Sequence, residues 1–252
     1  MRDGKGGVWR IPPKIGGCQR SPLPRFTVLN ERETKNLTDF FTAWSSLINR
    51  VLVPGGHVFV ASNSLLAPLV FNAVISGGLE PRGQIIRLVR TMRGGDKPKG
   101  AEIEFGNVST MTRSCHEPWG VFRKKIEVTV SDNLRVWKTG GLQRLSVDSP
   151  LPDVIQCQRT PETEREIARH PNIKPQAFLR QLVKASLPLG QGVILDPFMG
   201  SGSTVAAAEF VGYQSIGIEL DSEYYKMATR AVPQLANLYP EKQQSSLLVG
   251  YR

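Results

Sequence analysis

Cysteine and histidine are scarce in this chain, three of each among 252 residues, and neither type is grouped. Cys18, Cys115 and Cys157 lie far apart, which excludes a zinc-finger cluster and offers no even set for a disulfide framework. No metal site is expected. Long apolar runs are missing as well, since nothing approaches the roughly 18 consecutive apolar residues of a membrane helix. The opening stretch MRDGKGGVWRIPPK has no apolar core segment and is not a secretory signal. A reduced, cytoplasmic protein without membrane contact is the expectation. Internal repeats and low-complexity tracts are also lacking, so one domain with an insertion is the economical reading.

Acidic residues are in deficit, 22 against 32 basic ones, and the imbalance is local. Residues 82–145 hold thirteen Lys or Arg against six Asp or Glu, and residues 1–25 hold six against one. Basic charge confined to two stretches suggests a face that meets a polyanion, because neutralising phosphates releases condensed counterions. A plain solvated basic surface is the alternative. Arg87, Arg90, Arg93, Lys97, Arg123 and Lys124 are the candidate DNA-binding residues, with Trp119 and Trp137 interleaved. Most such cations would hold the phosphate backbone, and few would read bases.

Apolar residues at 37, 40, 41, 44, 47, 48 and 52 predict an amphipathic helix over 31–52, ended by Pro54-Gly55-Gly56. HVFVAS (57–62) reads as a buried strand, with His57 a satisfied interior histidine. A helix over 64–76, a strand over 84–92, a loop over 93–107 and extended chain over 119–130 follow. Residues 131–170 read as polar and irregular. From Pro175 a helix leads into the strand GVILD (192–196).

Residues 192–221 carry the most information. They run strand, glycine turn, helix, second strand and acid, the unit that holds a nucleoside at the carboxyl ends of α/β strands. Glycines at 200 and 202 let the backbone turn tightly and approach a ligand. The position where dinucleotide enzymes place a third glycine is not glycine, and Asp196 would set a carboxylate beside any phosphate. A neutral or cationic nucleoside therefore fits better. Glu219, about twenty residues on, is placed to take both ribose hydroxyls. Asp221 is either a cap for the helix from Ser222 or a ligand contact.

Taken together, HPNIKP (170–175), ILDPFMGSGST (194–204) and IGIELDSEYYKMA (216–228) resemble the permuted, beta-class amino-methyltransferases of DNA. NRVLVPGGHVFVAS (49–62) and HEPWGVFRKK (116–125) resemble the same family more loosely. The resemblance implies an α/β, Rossmann-like methyltransferase sheet in permuted order with a basic, loop-rich insertion. It implies a single domain: a catalytic half over 1–92, a target-recognition insertion over 93–169 and a cofactor half over 170–252. It also implies transfer of a methyl group from S-adenosylmethionine to adenine N6 or cytosine N4. DNA is the implied partner, and a cognate restriction endonuclease would accompany a restriction-modification role. Lys174 and Pro175 would line the methionine end of the cofactor. Asp196, Pro197, Phe198, Gly200, Ser201, Gly202, Ser203 and Thr204 would form the floor, with Glu219 on the ribose and Asp221 near the adenine. His116 and Glu117 read as strand-end structure.

The family's catalytic tetrapeptide pairs Asp, Asn or Ser with Pro-Pro and an aromatic, which together orient an extruded base and its amine. Here the only Pro-Pro stands in Ile11-Pro12-Pro13-Lys14, with neither a polar acceptor nor a ring. Ile11, Pro12 and Pro13 are the weak candidates, and the catalytic residues stay unassigned. Either a true motif lies upstream of Met1 or the branch uses a divergent one, and the glycine-rich start favours the first. The competing functions are a catalytically silent nucleic-acid-binding remnant of the family and, on the glycine turn alone, an RNA or protein methyltransferase or another nucleotide-dependent α/β enzyme.

Overall fold

The computed structural model describes residues 30–89, 97–110 and 112–239. Asn30 opens the first helix, α1 (Glu31–Val51), with a capping box: its side chain accepts from Glu33 N while Glu33 reaches back to Asn30 N. The apolar stripe of α1 packs Leu37, Phe41, Trp44 and Ile48 on a core of Val60, Val70, Phe71, Val74, Leu79 and Phe122. Most of that core comes from β1 (His57–Ala61) and α2 (Ala67–Ser76). A small residue is needed where α1 crosses the end of α2. Buried Ser45 donates to Val74 O at 2.7 Å, and a Cβ on Gly77 would lie 2.4 Å from Ser45 Cβ.

Strand β2 (Glu80–Leu88) pairs antiparallel with β3 (His116–Arg123), which pairs antiparallel with β1 on its other side. A short β4 (Val154–Gln156) adds to β2 in parallel, giving the order β1-β3-β2-β4. The central strand β3 is buried from Pro118 to Arg123. A second, parallel pair joins β5 (Val193–Asp196) to β6 (Gln214–Gly217) through α6 (Ser203–Val211). The helix α5 (Gln176–Ser186) packs Phe178, Leu179, Leu182 and Val183 with Ile85, Trp119, Val121 and Ile155 of the four-stranded sheet. Ile194 of β5 packs on the same cluster. The helix α7 (Ser222–Asn237) closes over α6 through Ala206, Ala231 and Leu235. No helix among the described residues is long and apolar enough to cross a membrane.

The stretch 131–170 is more regular than its composition predicts. It holds most of α3 (Val130–Trp137), β4 and α4 (Glu162–Ile167). The extended chain expected over 119–130 ends at Arg123, and Thr129 caps α3 by accepting from Asp132 N at 3.2 Å. Strand β2 likewise begins at Glu80, four residues before the expected start. His57 is interior but not satisfied, because its Nδ1 finds no partner among the described residues. Burial and the nearby Arg123 and Arg82 push this imidazole down to about 4.

Glu164 on α4 is 1 % exposed and accepts from Gln176 N at 3.0 Å, so it caps the start of α5 from a neighbouring helix. Burial pushes its carboxyl up to about 7, against the opposing pull of that hydrogen bond and of Arg180 and Arg87. The folded state then holds a proton that the unfolded chain has released between about pH 4.5 and 7. Stability contributed by this group is therefore fully present below that window and lost as pH rises through it. Glu164→Gln keeps the acceptor and removes the charge. It is expected to raise the melting temperature at pH 8 more than at pH 5. An equal shift at both values would contradict the burial of a titrating carboxyl.

Candidate functional site

The glycine turn sits where β5 ends. Asp196 Oδ1 accepts from Phe198 N at 3.1 Å, Met199 N donates to Ile218 O at 3.0 Å, and Gly202 N donates to Met199 O at 2.8 Å. Gly200 and Gly202 have φ of 53° and 79°, the left-handed region that favours glycine. Both also lie under side chains. A Cβ on Gly200 would stand 2.9 Å from the His170 ring, and one on Gly202 would stand 2.5 Å from Val232 Cγ2. The turn is thus built to bring backbone close to something, and on its inner side that something is His170 and α7.

Glu219, just past β6, ties the two strand ends together. Its Oε2 accepts from Gly200 N and its Oε1 from Asp221 N, each at 2.9 Å. Asp221 in turn accepts from Glu223 N and Tyr224 N, so of its two expected roles the structure displays the capping one. His170 packs edge-on to Tyr224, with ring centroids 4.4 Å apart. Burial lowers the His170 imidazole; the Glu219 carboxylate opposes this and the Lys174 ammonium adds to it. One histidine therefore lies within electrostatic reach of both Glu219 and Lys174 and touches Gly200.

Other expected floor residues divide by burial. Ser201 and Ser203 are interior, their hydroxyls 3.4 Å apart, and Ser203 O accepts from Gln176 Nε2 at 2.9 Å. Pro197 and Thr204 are half-buried. Pro175 is fully buried as the N-cap residue of α5, so its side chain sets the corner and does not line a cavity. Phe198 is 58 % exposed, with its ring 6.0 Å from Trp44 and 6.2 Å from Phe40 on α1. Ile218 and Leu220, on either side of Glu219, are exposed as well. Bare apolar side chains alternating with a carboxylate suit a nucleoside, whose base seeks apolar cover and whose ribose hydroxyls seek an acceptor. A phosphate beside Asp196 and Glu219 would be repelled. The residues present therefore fit a nucleoside cofactor without a phosphate.

Several cations expected to contact DNA are occupied elsewhere. Arg87 is 6 % exposed and donates to Glu117 Oε2 at 2.9 Å and Gln158 O at 3.0 Å. Arg123 is 5 % exposed and donates to Gly140 O and Glu80 Oε2, each at 2.9 Å. Arg87 is turned inward by the alternation of β2, Arg123 lies in the part of β3 that is buried on both faces, and burial without such partners would be costly. They are internal struts and not a DNA face. Lys124 Nζ donates to Leu52 O at 2.7 Å, tying β3 to the end of α1. Lys97 is exposed in the loop after β2. Arg90, Arg93, Ile11, Pro12 and Pro13 lie outside the described residues. Among the described residues no group of three or more His, Cys, Asp or Glu could hold a metal ion.

Glu117 was legible only as strand-end structure, yet it sits in the site. Its carboxylate accepts from Lys174 Nζ, from Arg87 Nη1 at 2.9 Å and from Trp119 Nε1 at 3.2 Å. These cations hold its carboxyl below the usual range although burial opposes them. No local spacing signals this contact, because Glu117 and Lys174 stand 57 residues apart.

A glycine turn at one strand end and a carboxylate at the next, beneath a helix, is an arrangement found in α/β proteins that hold nucleosides. The DNA methylase family model matches residues 26–230, and the chain belongs to this N6/N4 DNA methylase family. Among curated proteins it is 35 % identical over 89 residues to the type II methyltransferase M2.DpnII of Streptococcus pneumoniae. That match covers 35 % of this chain and 33 % of the relative. It is 46 % identical over 65 residues to the DNA adenine methyltransferase YhdJ of Escherichia coli K12, covering 26 % of this chain and 22 % of the relative. The matched stretches thus span a third or less of these relatives. Among solved structures, the cytosine-N4-specific PvuII DNA methyltransferase shares the fold with a TM-score of 0.58 and 15 % identity. That likeness covers 89 % of this chain and 81 % of the other. The M1.HpyAVI–SAM complex gives 0.52 at 16 % identity, over 77 % and 83 % of the two chains.

Proposed function

We propose that this chain binds S-adenosylmethionine at the glycine turn and serves methylation of an exocyclic amine of DNA, adenine N6 or cytosine N4. The observation that carries the reading is the meeting of Glu219, Gly200 and His170 at the ends of β5 and β6. When bound, the cofactor supplies an electrophilic methyl group on a sulfonium. The chain's own residues do the positioning. Glu219 accepts from the ribose hydroxyls while the turn amide holds it in place. Phe198, Ile218 and Leu220 give apolar cover to the adenosyl part, and Lys174 faces the methionyl end. Orientation of this kind can account for a large part of the acceleration of a methyl transfer. Among the described residues, Lys97 and the exposed Arg82, Lys99, Arg113 and Lys125 are cations available to meet phosphate.

The reading is supported by family membership and by the sulfonium-compatible, phosphate-excluding charge of the turn. Incubation with S-adenosylmethionine labelled in its methyl group and with mixed-sequence DNA tests it. Label in N6-methyladenine or N4-methylcytosine after nucleoside digestion is the expected result. Tight cofactor binding with no transfer would favour the silent, nucleic-acid-binding remnant. Failure to bind the cofactor at all would overturn the proposed function.

A further inference from the structure

Two cations and one anion meet where the antiparallel sheet touches the cofactor half. Arg87 on β2 and Lys174 before α5 share the carboxylate of Glu117 on β3, whose side chain is 19 % exposed. Trp119 adds its indole N–H to the same carboxylate, and the Lys174 ammonium lies 5.9 Å from the Trp119 ring centroid. Phe178 on α5 packs against both partners, 5.1 Å from the Trp119 ring and 5.7 Å from the Arg87 guanidinium. Arg87 is fixed by a further bond to Gln158 O, so Glu117 is held from two sides by groups that cannot move far. Lysine is the flexible member, a point charge on a long stem. Arg87, Lys174 and Glu117 together carry one net positive charge, with the Lys174 side chain 21 % exposed.

We propose that Glu117 is a positioning residue: locked by Arg87 and Trp119, it holds the Lys174 ammonium to receive the carboxylate of the cofactor's methionyl end. This rests on the reading of the glycine turn as an S-adenosylmethionine site and adds to it a residue from the other half of the fold. Without the Glu117 charge, Arg87 and Lys174 repel each other at close range, and the lysine swings away from the corner. The loss then falls on the amino-acid end of the ligand alone. The adenosyl end, held by Glu219 and the turn, is untouched.

The test compares two nucleosides on the same protein by calorimetry. S-adenosylhomocysteine carries the amino-acid group, and 5′-methylthioadenosine lacks it. Glu117→Gln and Lys174→Met are each expected to weaken S-adenosylhomocysteine by about tenfold, with 5′-methylthioadenosine unchanged. The double variant is expected to lose no more than either single one, since the two act as a unit. Glu117→Asp, which still neutralises Arg87 but falls short of Lys174, is expected to show the same selective loss and guards against a folding failure of the first variant. Equal weakening of both nucleosides, or losses that multiply in the double variant, would overturn the positioning role while leaving the cofactor site standing. A wild-type chain that binds neither nucleoside would overturn the cofactor reading itself, and the proposal with it.

Discussion

Glu219→Ala is expected to weaken S-adenosylhomocysteine binding by about a hundredfold, with the fold retained. The carboxylate holds Gly200 N and Asp221 N from its two oxygens, so its loss frees both the turn and the acidic corner. It also removes the acceptor for the ribose. Hydrogen bonds to a charged group contribute about 1.5–3 kcal/mol each, and tenfold in affinity is about 1.4 kcal/mol, which sets the scale. Glu219→Gln keeps one acceptor oxygen and is expected to lose less. Calorimetry with a circular-dichroism control reads both variants. Unchanged affinity in Glu219→Ala would place the ligand elsewhere.

Gly202→Val is expected to be the most damaging single change to stability near the site. The residue has φ of 79°, and a Cβ there would overlap Val232 Cγ2 at 2.5 Å and press on Ala228 Cβ at 3.3 Å. The left-handed conformation costs an ordinary residue roughly 1–2 kcal/mol, and overpacking typically adds about 1–3 kcal/mol. Since the clash lies between the turn and α7, cofactor affinity should fall together with the urea midpoint. A variant as stable as the parent would mean that α7 does not close on the turn as described.

Both effects were legible in sequence to different degrees. The strand, glycine turn, helix and strand over 192–217 follow from local rules, because β-branched runs, glycines and an alanine-rich helix each act within a few residues. The capped helix from Glu31 is equally local, given Asn30 and Glu33. The short α3 was missed although Thr129 and Asp132 form a readable cap, because the polar composition around it masked the signal. Strand β4 was missed for a different reason: three residues carry no period, and its place is fixed by pairing with Ile86, Arg87 and Leu88 far upstream.

Charge was the least readable property. Counting cations over 82–145 finds Arg87 and Arg123 alike with surface lysines, and only the pleat of β2 and the central place of β3 bury those two. The pairing of β2 with β3 sets Glu117 opposite Arg87, and the segment before α5 brings Lys174 to the same carboxylate, so this contact had no sequence signature. His170 stands in HPNIKP (170–175), but its approach to Gly200 depends on how the loop before α5 closes on the turn. Net charge thus foretells a partner's sign better than it identifies the contacts.

The most direct measurement is a crystal structure grown with S-adenosylhomocysteine. The account predicts the ribose hydroxyls on the Glu219 carboxylate, the adenosyl part beside Phe198 and Leu220, and the amino-acid end at Lys174. Ligand bound away from the Gly200–Gly202 turn, or no bound ligand at saturating concentration, would contradict it.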